Sequence, residues 1–290
     1  MSNYTPKIIH QMWLDEKNPV TPHPPEKYQK YPGYISKLKE LHPDYEYMWW
    51  DRQKCEELLD REDLSYFRNI YHKIPKIIMK CDFMRYVILW IYGGYYFDLD
   101  NNFRRPLPKE WTYESLGLFH EPPSLPNNKY PGMYELTGCS TFLANAIMFS
   151  SVKHEFWLIV IKEIDRRLDN CNSKDSKKPY CTNGEVLSIT GPVLLSDVAV
   201  SSGYISNSKS ACYFTALDNK GERWKCEDGL ECINGHYCSK EQADNSIASN
   251  TWDEGTGWTD DGSDSATNFT VAIVIVVVIV VFVLIIFFLV

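Results

Sequence analysis

The residues best equipped for chemistry lie between positions 82 and 100: Asp82 with Arg85, and Asp98 with Asp100. Asp82 and Arg85 are three apart, so on a helix they share a face. Tyr96, Asp98 and Asp100 recur with a period of two, so on a strand they too point one way. A carboxylate suits hydroxyls and a guanidinium suits oxyanions, which makes the first pair a candidate for holding a ligand that carries both. The second pair sets two like charges roughly 7 Å apart along a strand. Apolar neighbours tolerate that arrangement only where water or a cation neutralises it. A hard divalent ion such as manganese or magnesium would do so, taking one or two carboxylates and leaving its other positions to water and phosphate oxygens. A strand running out into solvent also carries alternating aspartates, so the weight of Asp-X-Asp comes from its flanks.

Those flanks read as helix, hinge and strand. Ile77, Cys81, Met84, Ile88 and Ile91 recur at helical spacing, and Gly93 with Gly94 stops the helix. Residues 95–99 follow as a strand, with Tyr95, Phe97 and Leu99 facing away from the aspartates. Strand-like runs at 8–13, 45–50, 117–120 and 144–149 alternate with helical stretches near 34–41, 77–92 and 153–168, the last with Phe156, Ile159, Val160 and Ile164 on a core face. This alternation predicts an α/β fold, a mostly parallel sheet flanked by helices. In such sheets ligands bind beyond the carboxyl ends of strands, where Trp13 and Asp98 to Asp100 fall. The expected domain plan is 1–245 for the α/β domain, 246–268 for an acidic Ser/Thr/Gly-rich linker or active-site loop, and 269–290 for an apolar tail.

Several blocks, in order, carry a resemblance. They are Lys7-Ile8-Ile9-His10-Gln11-Met12-Trp13, Tyr45-Glu46-Tyr47-Met48-Trp49-Trp50-Asp51, Lys80-Cys81-Asp82 with Arg85-Tyr86, and Tyr92-Gly93-Gly94-Tyr95-Tyr96-Phe97-Asp98-Leu99-Asp100. Asn145-Ala146-Ile147-Met148, His154-Glu155-Phe156 and Thr190-Gly191-Pro192 continue them. Together they resemble the family 32 glycosyltransferases with a DXD sugar-binding motif, relatives of the inositolphosphoceramide mannosyltransferases. The resemblance implies a nucleotide-diphospho-sugar transferase fold of the GT-A type and a nucleotide-sugar donor. It also implies manganese or magnesium as cofactor, and transfer of mannose or another hexose to a lipid, glycan or glycoprotein acceptor with retention. Carried over residue by residue, it implies that Trp13 stacks on the nucleotide base and that Asp82 and Arg85 hold the donor sugar and its phosphate. Tyr96 would line the donor site, Asp98 would bind ribose or sugar beside the metal, and Asp100 would ligate the metal.

The resemblance departs at the carboxyl end of the site. Relatives close it with a histidine just before a Ser-Trp or Thr-Trp pair, whereas here Asn250-Thr251-Trp252 and Thr256-Gly257-Trp258 follow with no histidine after His236. Asn250, Trp252 and Trp258 stand as donor contacts, and Asp253 or Asn250 as the replacement ligand, both being oxygen donors. The alternative is a linker, and with it a catalytically degenerate, membrane-displayed carbohydrate-binding or structural protein on the same fold.

The tail from Val271 to Val290 is apolar throughout, and about 20 residues of helix span about 30 Å of bilayer. The expectation is a single C-terminal transmembrane helix and a membrane-anchored enzyme, with the catalytic domain in the cytosol because the first residues lack a signal region. Six cysteines between positions 171 and 238, namely Cys171, Cys181, Cys212, Cys226, Cys232 and Cys238, read instead as disulfides of an oxidising compartment. A Golgi, endoplasmic-reticulum or viral membrane protein reconciles the two, on a side that stays open. The formal net charge of −8 excludes a nucleic-acid binder as the first reading.

Overall fold

The computed structural model describes residues 4–26, 28–120, 143–173, 183–209, 214–217, 231–233, 236–238 and 246–251. Its main sheet has six strands: β1 (Ile8–Met12), β2 (Glu46–Trp50), β3 (Gly94–Phe97), β5 (Leu116–His120), β6 (Leu143–Ser150) and β7 (Ser208–Lys209). Their order is β2-β1-β3-β6-β5-β7. β1 runs parallel to β2 and β3, β6 is antiparallel to β3 and β5, and β5 is parallel to β7. The α/β reading is met, and the mostly parallel sheet becomes a mixed one because β6 enters against its neighbours. A smaller sheet sets β11 (Ala248–Thr251) between β4 (Asn101–Phe103) and β8 (Phe214–Leu217), and β9 (Glu231–Ile233) pairs with β10 (His236–Cys238).

The helices are α1 (Tyr31–Leu41), α2 (Arg52–Leu59), α3 (Ser65–Lys73), α4 (Ile77–Tyr92), α5 (Glu155–Ser173), α6 (Asn183–Ile189) and α7 (Pro192–Ser201). Helix α4 keeps its expected bounds but not a one-sided stripe. Met79 and the run from Asp82 to Leu89 are all buried, the pattern of a helix enclosed on every side. Tyr86 stacks on Trp157 of α5, and Val160, Ile161 and Ile164 continue that contact layer. On the opposite face of the sheet an aromatic cluster joins Tyr95 and Phe97 of β3 to Phe103, Trp111, Phe119 and Phe149. Each fully buried aromatic contributes about 1.5 to 3 kcal/mol, so β3 is clamped from both sides.

The double glycine lets α4 run into β3 without a connecting loop. Gly93 and Gly94 have φ of +64° and +85°, which side chains on L residues rarely adopt. A Cβ on Gly93 would meet the Ser150 carbonyl and the Val152 amide at 2.8 Å, and one on Gly94 would meet the Ile8 carbonyl at 2.5 Å. Buried His10 completes the joint: its Nε2 donates to the Gly93 carbonyl at 2.8 Å and its Nδ1 accepts from the Trp50 indole at 3.2 Å. Burial holds its pKa down at about 4, so the ring is neutral and keeps that donor and acceptor assignment.

Two expectations need correction. Strand β3 ends at Phe97, and Asp98 to Asp100 form a turn closed by the Asn101 amide on the Asp98 carbonyl at 3.4 Å. The second correction concerns the transmembrane helix, and with it the membrane anchor, the membrane partner and the single-pass localisation. Among the described residues no helix is long and apolar enough to cross a membrane. The longest, α5 with 19 residues, carries Glu, Lys, Asp and Arg along one side of an amphipathic pattern, and residues 269–290 lie outside the described ones. The disulfide reading likewise concerns side chains that are not described. The two cysteines that are described in full, Cys55 and Cys81, are free thiols.

Gly94→Ala should therefore lower unfolding free energy by about 3 kcal/mol or more. Gly203→Ala, at φ +80° with open space around it, should cost only about 1 to 2 kcal/mol. Urea titration of both variants checks the difference, and equal losses would show that close packing at Gly94 does not constrain the joint.

Candidate functional site

Asp82, Arg85 and Asp98 meet at the carboxyl end of β3, and Asp100 follows two residues on in the turn. Asp82 has no exposed surface and Arg85 only 4%. Arg85 Nη2 lies 3.2 Å from Asp82 Oδ1, and Nη1 lies 3.4 Å from Asp98 Oδ2. Nη1 also donates to the Asn145 carbonyl at 2.7 Å, and the guanidinium sits over the Tyr96 ring, 5.0 Å from its centre. One buried cation thus bridges the helix carboxylate and the first aspartate of the turn.

Each carboxylate is further fixed by neutral donors. Asp82 accepts from Asn145 Nδ2 on Oδ1 at 2.9 Å and from Thr190 Oγ1 on Oδ2 at 3.0 Å. Asp98 accepts the Tyr96 hydroxyl at 2.8 Å. Its main chain is held as well, the amide on the Ala146 carbonyl at 2.9 Å and the carbonyl under Asn101 Nδ2 at 3.0 Å and Gln11 Nε2 at 3.4 Å. About a third of the Asp98 side chain remains exposed, so it is the member of the bridge that a ligand can reach.

Burial pushes the Asp82 carboxyl up to about 6, opposed by Arg85 and by the Thr190 and Asn145 hydrogen bonds. Burial works against the Arg85 charge too, but Asp98, Tyr96 and Asp82 outweigh it and its pKa stays well above the usual value. Two carboxylates, Asp82 and Asp98, thus share one guanidinium, and Asp100 adds a further carboxylate in the turn that follows.

Asp98 directly follows β3, and Trp13 directly follows the neighbouring strand β1. Its ring packs 5.1 Å from Tyr28, and its enclosed indole Nε1 has no hydrogen-bond partner. Tyr96 is buried and acts on Asp98 rather than lining open space. Asn250 lies on β11, in register with Asn101 of β4, the residue after Asp100. The last described strand therefore runs beside the aspartate turn. Trp252, Asp253 and Trp258 lie outside the described residues.

Asn145, Thr190, Asn101 and Gln11 were not selected as site residues from sequence. All four are buried, and each bonds to Asp82 or to the main chain of Asp98; for Asn145 and Gln11 the signal is a polar residue among apolar neighbours.

Among the described residues no three of His, Cys, Asp and Glu stand close enough to hold a metal on their own. What the turn offers is oxygen. Asn101 Nδ2 faces the Asp98 carbonyl at 3.0 Å and Asp100 Oδ1 at 3.5 Å, both acceptors, which fixes the amide orientation. Asn101 Oδ1, in a residue 1% exposed, is left without a donor. Excess negative charge and an unpaired oxygen fit a hard divalent cation that draws its remaining ligands from phosphate and water.

Residues 29–117 match the model of the glycosyltransferase sugar-binding region containing the DXD motif. The chain carries this DXD sugar-binding region and is related to the inositol phosphoceramide mannosyltransferases. It is 32% identical over 191 residues to inositol phosphoceramide mannosyltransferase 3 of Schizosaccharomyces pombe, covering 66% of this chain and 44% of that protein. It is 30% identical over 193 residues to mannosyl phosphorylinositol ceramide synthase CSH1 of Saccharomyces cerevisiae, covering 67% and 42%. It thus spans less than half the length of these two curated relatives. Among solved structures it is similar to the PaToxG glycosyltransferase, with 14% identity and a TM-score of 0.45 over 70% of this chain and 72% of that one. DXD-motif glycosyltransferases typically require a divalent cation.

The raised Asp82 value sets the sign of a pH effect. Between the ordinary carboxylate value of 3.8 and about 6, the native state holds a proton that the unfolded chain releases. Asp82 therefore contributes stability that is fully present below about pH 4 and lost as pH rises through about 6. The stability difference between the parent and Asp82→Asn should shrink by on the order of 2 kcal/mol across that window. A difference that stays constant with pH in urea unfolding would show an unshifted carboxyl.

Proposed function

We propose that this chain transfers a hexosyl group from a nucleoside-diphosphate sugar to an acceptor hydroxyl, with a divalent cation at the aspartate turn. One observation carries the reading: a single buried guanidinium bridges Asp82 and the ligand-accessible Asp98 inside the region that matches the DXD motif. The names of these relatives make mannose the first donor sugar to try and an inositol-bearing glycolipid the first acceptor.

The roles follow from placement. Trp13, half-buried just after β1, offers the nucleotide base a ring face. Arg85, charged and enclosed, gives its field to the diphosphate without solvent screening. Asp98, oriented by Tyr96 and Arg85, accepts from hydroxyls of ribose or sugar. Asp82, fully buried, acts by keeping Arg85 in place. Asp100, with Asn101 Oδ1 as an oxygen neighbour, would hold manganese, magnesium being the second choice. The ion, when bound, supplies Lewis-acid neutralisation of the diphosphate leaving group. The backbone pairing of β11 with β4 supports Asn250 as a further candidate beside that ligand set.

The test is manganese-dependent release of nucleoside diphosphate from a panel of nucleotide sugars by the full chain. Release of one diphosphate above background is expected, with Asp100→Asn lowering the rate by about 10²-fold or more and leaving the unfolding midpoint nearly unchanged. A folded parent protein that releases none, or an Asp100→Asn variant as active as the parent, would remove the reading.

A further inference from the structure

The junction between α6 and α7 reaches the site through one residue. Thr190 is fully buried, and helix α4 grips it twice: its hydroxyl donates to Asp82 Oδ2 at 3.0 Å and its carbonyl accepts the Tyr86 hydroxyl at 2.9 Å. Asp82 and Tyr86 are four apart, so both contacts come from one face of α4. The junction itself is rigid. Gly191 and Pro192 open α7, with proline at the first helical position, where its missing N–H costs nothing. Arg167 of α5 braces the other side, donating to the Ser188 carbonyl while it pairs with Glu163 and Asp197. Ser196 of α7 accepts the Leu143 amide at 2.8 Å, which ties the same helix to β6 two residues before Asn145.

We infer that Thr190 is a positioning residue for the donor site, its hydroxyl orienting the Asp82 carboxylate so that Arg85 stays shared between Asp82 and Asp98. The geometry leaves little slack. Asp82 Oδ1 takes Asn145 and Arg85, so Thr190 is the partner of Oδ2. Deleting the hydroxyl leaves a buried carboxylate oxygen without a donor, an arrangement proteins avoid. The carboxylate then turns toward another donor, and Arg85 Nη2 loses its fixed partner. Thr190 bonds to Asp82, and Arg85 links Asp82 to Asp98, so the path from Thr190 to the turn runs through Asp82 and Arg85. This inference rests on the hexosyl-transfer reading for its kinetic consequence, while the positioning itself has a readout independent of turnover.

The experiment compares Thr190→Val, which keeps the shape and removes the hydroxyl, with Thr190→Ser, which keeps the hydroxyl. In crystal structures of the full chain, the Asp82 carboxylate should rotate away from Arg85 in Thr190→Val and hold its place in Thr190→Ser. In donor kinetics with manganese, Thr190→Val should raise the donor KM roughly tenfold with a smaller change in kcat, and Thr190→Ser should restore most of it. An unmoved Asp82 in Thr190→Val overturns the inference whether or not the chain shows turnover. Equal KM defects in the two variants would also overturn it, since packing rather than the hydroxyl would then be at work. Absence of turnover by the parent counts against the hexosyl-transfer reading, and the crystal structures still decide the positioning.

Discussion

Arg85 sits between two carboxylates that the chain brings from different elements, and the site depends on that shared charge. Burying a guanidinium and a carboxylate is costly unless each finds partners for its remaining groups. Here Asp82 is supplied by Asn145 and Thr190, and Arg85 by the Asn145 carbonyl, the Tyr96 ring and Asp98. Removing one partner from such a set leaves an uncompensated buried charge, at about 3 to 5 kcal/mol. Asp98 is the one member open to solvent, so it alone offers a ligand the field of the whole assembly.

The rest of the fold holds the ends of this bridge at a fixed separation. Helix α4 cannot rotate because it is enclosed on every side, and β3 cannot slide because aromatic side chains clamp it. Between them stand two glycines whose dihedrals and close contacts admit no side chain. A loop in place of that joint would add slack between Asp82 and Asp98, and a single guanidinium could no longer reach both.

Much of this was legible in the sequence because it depended on local pattern. The bounds of α4, its glycine stop and the companionship of Asp82 with Arg85 follow from helical spacing and the conformational freedom of glycine. The length of β3 was not legible. Alternation alone carries Asp98 and Asp100 into the strand, whereas pairing stops at Phe97 opposite Ile147 and the chain turns. Asn145 and Thr190 escaped because their partner lies 63 and 108 residues away. A lone polar residue in an apolar run does not say whom it meets. The antiparallel entry of β6 is also non-local, fixed by which edge of β3 is free.

The claim that Arg85 couples the helix carboxylate to the aspartate turn is tested most directly by a double-mutant cycle. The affinity of the full chain for a nucleoside diphosphate with manganese would be measured for Arg85→Gln, Asp98→Asn and the double variant. If one bridge does the positioning, the double variant binds little worse than Arg85→Gln alone, because the second change removes a contact already lost. Losses that simply add would mean that the two residues act independently, and would contradict the account.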